Sequence, residues 1–143
     1  WLHWGVGFRQ YCDWIRLMTQ LKGQVDTKEI ERIAGALDIL YPMQLFAQAA
    51  EEYLRVAPEV FPFSRLEGHD PYSDQIVWDV LRSGNFGFSQ RPERARSRLM
   101  TDLRKLLFKA RRSYRLHAIA PTHASRIIWG SIIGHLMLRL RKL

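Results

Sequence analysis

The sequence predicts an all-α fold, an irregular bundle of about six helices. Three observations lead there. Apolar residues recur at helical spacing along most of the chain. Helix stop and start signals punctuate it at Lys22-Gly23, Asp26, Tyr41-Pro42, Asp70-Pro71 and Ala120-Pro121. No alternating segment is flanked by hairpin turn chemistry, so no strand is expected.

The first helix is expected over residues 8–21, ending at Lys22-Gly23, where glycine suits a left-handed stop. Asp26 is the expected N-cap of the second helix. Glu29 then falls where a capping box places its acid, and Ile30, Ile33, Ala34, Leu37 and Leu40 form the apolar stripe. Pro42 suits the first turn of a third helix, whose apolar positions are Met43, Phe46, Ala47, Ala50, Tyr53 and Leu54. Residues 58–70 contain Phe61-Pro62-Phe63 and read as a loop whose aromatics pack back onto the body. Asp70-Pro71 supplies an N-cap and a first-turn proline for a fourth helix, which carries Ile76, Val77, Val80 and Leu81 and stops at Ser83-Gly84. A tight turn is expected at Asn85-Phe86-Gly87. The fifth helix runs from about Pro92 to Arg115 with a stripe of Leu99, Leu103, Leu106 and Ala110. The sixth opens at Ala120-Pro121, with Ile128, Trp129, Ile132, Ile133, Leu136, Met137 and Leu140 as its apolar positions.

At 143 residues, 47% hydrophobic and 25% charged, the chain has the size and composition of one globular domain, residues 1–143. Cys12 is the only cysteine, which excludes an internal disulfide and fits a reducing cytoplasm. The uncharged run between Arg126 and Arg139 is 12 residues, short of the ~20 that cross a bilayer, so no membrane partner is expected. The chain opens Trp1-Leu2-His3-Trp4 without an initiator Met. Such an apolar start is expected of a piece of a longer protein, with an upstream domain packing on Trp1 and Trp4.

Charge is unevenly divided. Residues 1–90 hold 8 Lys+Arg and 12 Asp+Glu, a net of −4, whereas residues 91–143 hold 14 and 2, a net of +12. This split points to an anionic partner, including nucleic acid at the basic fifth helix, to an acidic partner domain, or to a solvated basic face.

The most informative stretch is Gly5-Val6-Gly7-Phe8-Arg9-Gln10-Tyr11-Cys12-Asp13-Trp14. On a helix, Arg9 and Asp13 share a face. Phe8, Cys12 and Ile15 line an adjoining apolar stripe, with Tyr11 and Trp14 at its edge. Charges bordering such a stripe are expected to be partly buried, and buried charges persist only when paired or facing a ligand. The pair is therefore either a structural ion pair or part of a site.

This stretch resembles the Gly-x-Gly-Leu-Arg-Gln-x-x-Asp-aromatic signature of a bacterial family of uncharacterised nucleotidyltransferases. Val80 through Gly87 is similar to that family's Gly-Asn-Phe-Gly turn, and Ala120-Pro121 through Trp129 to its final helix. Phe8 stands where the family has Leu, and Ala120 where it has Tyr. The resemblance implies that this chain is the C-terminal helical portion of an α/β nucleotidyltransferase-like protein. It further implies an NTP and an unknown acceptor as substrates. Mg²⁺ is implied for the intact protein but not for this chain alone. Such chemistry needs paired carboxylates, commonly Asp-x-Asp on a strand. No Asp-x-Asp occurs here, and Glu29-Ile30-Glu31 lies on a helix with its carboxylates pointing apart. Arg9 would meet a phosphate or the acceptor, with Asp13 orienting it, because a guanidinium fork matches phosphate. Asn85 would line the cleft.

Two alternatives stay open. One is a non-catalytic basic helical module that binds nucleic acid or protein. The other is a helical ribonuclease using Arg112 and His117, whose Arg-x4-His spacing resembles a motif of all-helical toxin domains; there, Arg holds the phosphate and His acts as base. Cys12 has no evident base beside it and reads as a small buried hydrophobe. His3, His69, His123 and His135 show no metal-ligand spacing among themselves.

Overall fold

A computed structural model describes residues 6–83 and 97–140, leaving aside the side chains of 98–99, 128, 131–132 and 135–140. Among the described residues there are six α-helices and no strand: α1 (Phe8–Leu21), α2 (Thr27–Ala36), α3 (Leu40–Leu54), α4 (Pro71–Ser83), α5 (Arg98–Leu116) and α6 (Pro121–Leu140), with a 3-10 turn at Pro58–Val60. The expected all-α class is what the structure has. The chain divides into two compact units, one holding α1–α4 and the other α5 and α6.

In the first unit α3 is the central element. It packs most extensively on α4 and also meets α2, while α1 lies on α4 and the 3-10 turn. The core consists of Leu45, Ala47, Ala49 and Ala50 of α3, Ile76 and Val80 of α4, Tyr11 and Ile15 of α1, and Val60, Phe61 and Phe63 of the connecting loop. The loop aromatics turn inward as the sequence predicts. Leu45 and Ala49 are core positions that the expected α3 stripe omits, whereas Tyr53 and Leu54, which it includes, are exposed. Contact with α1, α2 and α4 on several sides makes α3 apolar around much of its circumference, which blurs the simple periodicity.

The helix ends follow their local chemistry. Gly23, at φ 73, stops α1. The Asp26 carboxylate accepts the Lys28 N–H at 2.9 Å, so Asp26 is the N-cap of α2. Glu29 does not complete a capping box; it forms a forked bond with Arg32, both contacts at 2.7 Å. The stop of α2 differs from expectation. Asp38 takes the left-handed conformation at φ 56, Ile39 N–H bonds Ala34 O and Asp38 N–H bonds Gly35 O. This is a Schellman closure with Asp in the place usual for glycine. It ends α2 before Leu40, which becomes the first residue of α3. Ile33 and Leu37 are exposed, and α2 packs chiefly through Ala34. Asp70 opens α4, accepting the Tyr72 N–H at 3.0 Å and the Tyr41 hydroxyl at 2.8 Å.

In the second unit α5 packs on α6. The Ser113 hydroxyl donates to the Ala124 carbonyl at 2.5 Å, and Leu116, Ile119, Ala120 and Ala124 are buried. Of the expected leucine stripe of α5, Leu106 and Ala110 are half-buried and none of its described members is fully buried. Leu103 is exposed together with Met100 and Leu107, while Thr101, Arg112, Ser113 and Leu116 are buried. The small side chains of Ser113 and Ala124 bring the two backbones close, and that approach fixes which face of α5 turns inward. Residues 92–96 of the expected fifth helix lie outside the described residues, as do the side chains of Leu99 in α5 and of Ile128, Ile132, Leu136, Met137 and Leu140 in α6. Trp129 and Ile133 of α6 are exposed. No described helix is long and apolar enough to cross a membrane.

Candidate functional site

The start of α1 is built from its backbone outward. Gly7 is the N-cap in an extended conformation, φ −75 and ψ 159, and its N–H donates to Gln10 Oε1 at 2.8 Å. Tyr11 is 3% exposed and its hydroxyl donates to the Phe46 carbonyl at 2.6 Å. Burial raises the Tyr11 pKa well above the usual phenol value. Trp14 stacks on Phe61 with ring centroids 5.4 Å apart and meets Phe46 edge-on. The buried face of α1 is therefore centred on Tyr11, Trp14 and Ile15, not on the Phe8–Cys12–Ile15 stripe. Phe8 is 46% exposed and Cys12 half-buried.

That rotation moves the charged pair outward. Arg9 and Asp13 are both exposed, contrary to the expected partial burial, and they do not appear as a pair among the ion pairs of the described residues. At 100° per residue they share an outward stripe with Arg16 and Gln20, which are also exposed. Cys12 lines a shallow, mostly apolar groove with Ile15, Leu54 and Val56. Asn85 lies outside the described residues, as do His3 and the Gly84–Gly87 turn.

Arg112 and His117 are not brought together. Arg112 is 1% exposed, and His117, the C-cap of α5, is exposed. The five-residue spacing puts them about 140° apart around the helix.

The structure also assembles a group that the sequence reading missed. Glu52 of α3, His69 of the loop and Asp74 of α4 each offer one ligand atom within 4.8 Å of the other two. His69 Nδ1 lies 3.0 and 3.1 Å from the Glu52 carboxylate oxygens, and Nε2 is 3.6 Å from Asp74 Oδ2. The Tyr53 hydroxyl donates to Asp74 Oδ1 at 2.5 Å, and the Ser73 hydroxyl to Glu52 Oε2 at 3.4 Å. The Gln48 carboxamide clamps both neighbours of His69, donating to Gly68 O at 2.5 Å and accepting the Asp70 N–H at 3.0 Å. The hydrogen bond to Glu52, with the negative charge of Glu52 and Asp74, holds the His69 pKa above the ordinary imidazole value. Bonding to Asp74 likewise raises the Tyr53 pKa. Beside this group opens a pocket of ≈ 450 Å³, lined by Gln48, Glu51, Glu52, Arg55, Phe61 and Arg65 among others.

No family model, curated relative or solved structure matches the chain. Fold and site define it as an all-α protein with an exposed Arg–Asp face on its first helix and a carboxylate–histidine cluster on its third and fourth.

Proposed function

We propose that this chain is the helical portion of a nucleotidyltransferase that moves a nucleotidyl group from an NTP to an acceptor. Its part is to shape the substrate side of the cleft. The observation that carries the reading is the stretch from Gly5 to Trp14. Tyr11 and Trp14 pack its helix against Phe46 and Phe61, so Arg9 and Asp13 stand outward. An outward guanidinium presents forked donors to a phosphate, and Asp13, four residues on and unpaired with Arg9 in this structure, is assigned the role of orienting that fork once substrate is bound. Asn85, two residues beyond α4, is assigned to the same cleft. The residues of this chain do not fit the Mg²⁺ centre of such an enzyme, because no Asp-x-Asp is present. That centre is assigned to an upstream domain.

The test is NTP binding and transfer by the protein expressed from its full reading frame with Mg²⁺. Arg9→Ala is expected to weaken NTP or acceptor binding by about tenfold or more, as loss of a charge-assisted bond of ~1.5–3 kcal/mol implies. Unchanged binding and transfer in Arg9→Ala would overturn the assignment of Arg9, and no NTP binding by the full-length protein would overturn the function.

A second reading has its own observation. Arg104, Arg111 and Arg115 are exposed along α5, which suits a basic module that binds an anionic polymer without catalysis. Steeply salt-dependent nucleic-acid binding in the absence of NTP chemistry would favour it. The ribonuclease reading lacks comparable support, since Arg112 is buried while His117 is exposed.

A further inference from the structure

We infer that Glu52, His69 and Asp74 form a binding site for a divalent transition-metal ion of the zinc or manganese class. The inference is independent of the nucleotidyl-transfer reading.

The three groups come from three separate segments: α3, the loop before α4, and the first turn of α4. A metal with bonds of ~2.1 Å has ligand atoms about 3.0 Å apart at right angles and about 3.4 Å apart at the tetrahedral angle. One ligand atom from each side chain lies within 4.8 Å of the other two. Glu52 faces Nδ1 of His69 at 3.0 Å and Asp74 faces Nε2 at 3.6 Å, so a shared ion takes one ring nitrogen and the acid on the other side turns toward it. The three side chains are 32%, 51% and 43% exposed. Small rotations therefore bring one atom from each onto a shared centre, and positions remain open for water.

The surroundings supply what a metal site needs beyond its ligands. Ligating carboxylates are ordinarily held by further hydrogen bonds, and here Tyr53 holds Asp74 while Ser73 reaches Glu52. Gln48 fixes the backbone on both sides of His69. Two carboxylates and a neutral imidazole carry two negative charges, which match a dication. The nitrogen ligand selects against Mg²⁺ and Ca²⁺, which prefer an all-oxygen shell, and for a borderline ion. The same atoms equally suit a protonated imidazole bonded to both acids. Metal and proton compete for the site, and that competition is the alternative the experiment decides.

The test uses the 143-residue chain, stripped with chelator and titrated with Zn²⁺, Mn²⁺ or Mg²⁺ at neutral pH by calorimetry. One Zn²⁺ or Mn²⁺ per chain is expected, with no heat from Mg²⁺. His69→Ala and Asp74→Asn should each weaken binding by at least about tenfold. His123→Ala should leave it intact. His69 is exposed, so His69→Ala keeps the experiment decisive even if Asp74→Asn misfolds; a circular dichroism spectrum checks both. Absence of Zn²⁺ and Mn²⁺ binding at about 100 µM ion, well above a micromolar dissociation constant, would overturn the site and leave a proton-linked cluster. Undiminished binding in His69→Ala would likewise overturn it.

Discussion

Tyr11 and Arg9 lie two residues apart on α1, and the structure gives them opposite energetic roles. Tyr11 is 3% exposed. A buried aromatic removes ~150–250 Å² from water, worth ~4–6 kcal/mol at ~25 cal/mol per Å². Truncating such a side chain to alanine costs ~3–5 kcal/mol once the cavity is counted. The hydroxyl bond to the Phe46 carbonyl, at 2.6 Å, contributes about 1 kcal/mol. Tyr11→Ala is therefore expected to destabilise by ~4 kcal/mol and Tyr11→Phe by ~1 kcal/mol. Arg9→Ala and Asp13→Ala, at exposed positions, should stay within about 0.5 kcal/mol of the parent. Urea unfolding followed by circular dichroism and by tryptophan fluorescence measures all four, with Trp14, stacked on Phe61, one of the five tryptophans that contribute to the signal. A loss above ~3 kcal/mol in either charge variant would mean a buried ion pair and refute the placement of the helix. So would a Tyr11→Ala loss below ~1.5 kcal/mol, which is too small for a buried aromatic.

Two further outcomes follow from the same structure. Asp26→Ala removes the side-chain acceptor at the start of α2 and should cost about 1 kcal/mol in urea unfolding, with no loss expected from Asp26→Ser. Burial, with the hydrogen bond to Asp70, pushes the Tyr41 pKa up to about 12, against about 10 in the unfolded chain. The folded value is the higher one, so its stabilisation is full below pH ~10 and is lost as pH rises from there through ~12. Tyr41→Phe should accordingly show a smaller fall in urea midpoint between about pH 9 and about pH 11.5 than the parent, and an identical fall in both proteins would refute this role for Tyr41.

The helices were legible because their signals are local. Lys22-Gly23, Asp26 and Asp70-Pro71 each specify a boundary through backbone conformation or a hydrogen bond spanning two or three residues. The end of α2 was less legible, because Asp38 takes a left-handed conformation that is read more readily from glycine. The facing of α1 and α5 was harder still. Their apolar residues extend around more than one side, and the choice of buried side depends on what each helix meets: Phe46 and Phe61 for α1, Ala124 for α5. The cluster of Glu52, His69 and Asp74 was invisible for a related reason. Glu52 and His69 are separated by 17 residues, a spacing with no helical meaning, and the α3–α4 packing brings them together. The only sequence signal nearby was Asp70-Pro71, which puts His69 just before α4 and Asp74 in its first turn.

The sequence by itself determined the all-α class, the order of the helices and most of their ends, since periodicity and capping act over one or two turns of chain. It also singled out Arg9 and Asp13 as sharing one helix face. Only the tertiary structure decided that this face is exposed, that Arg112 is buried while Leu103 is not, and that an imidazole lies between two carboxylates. Those outcomes depend on which surfaces meet, and packing settles that between residues distant in sequence.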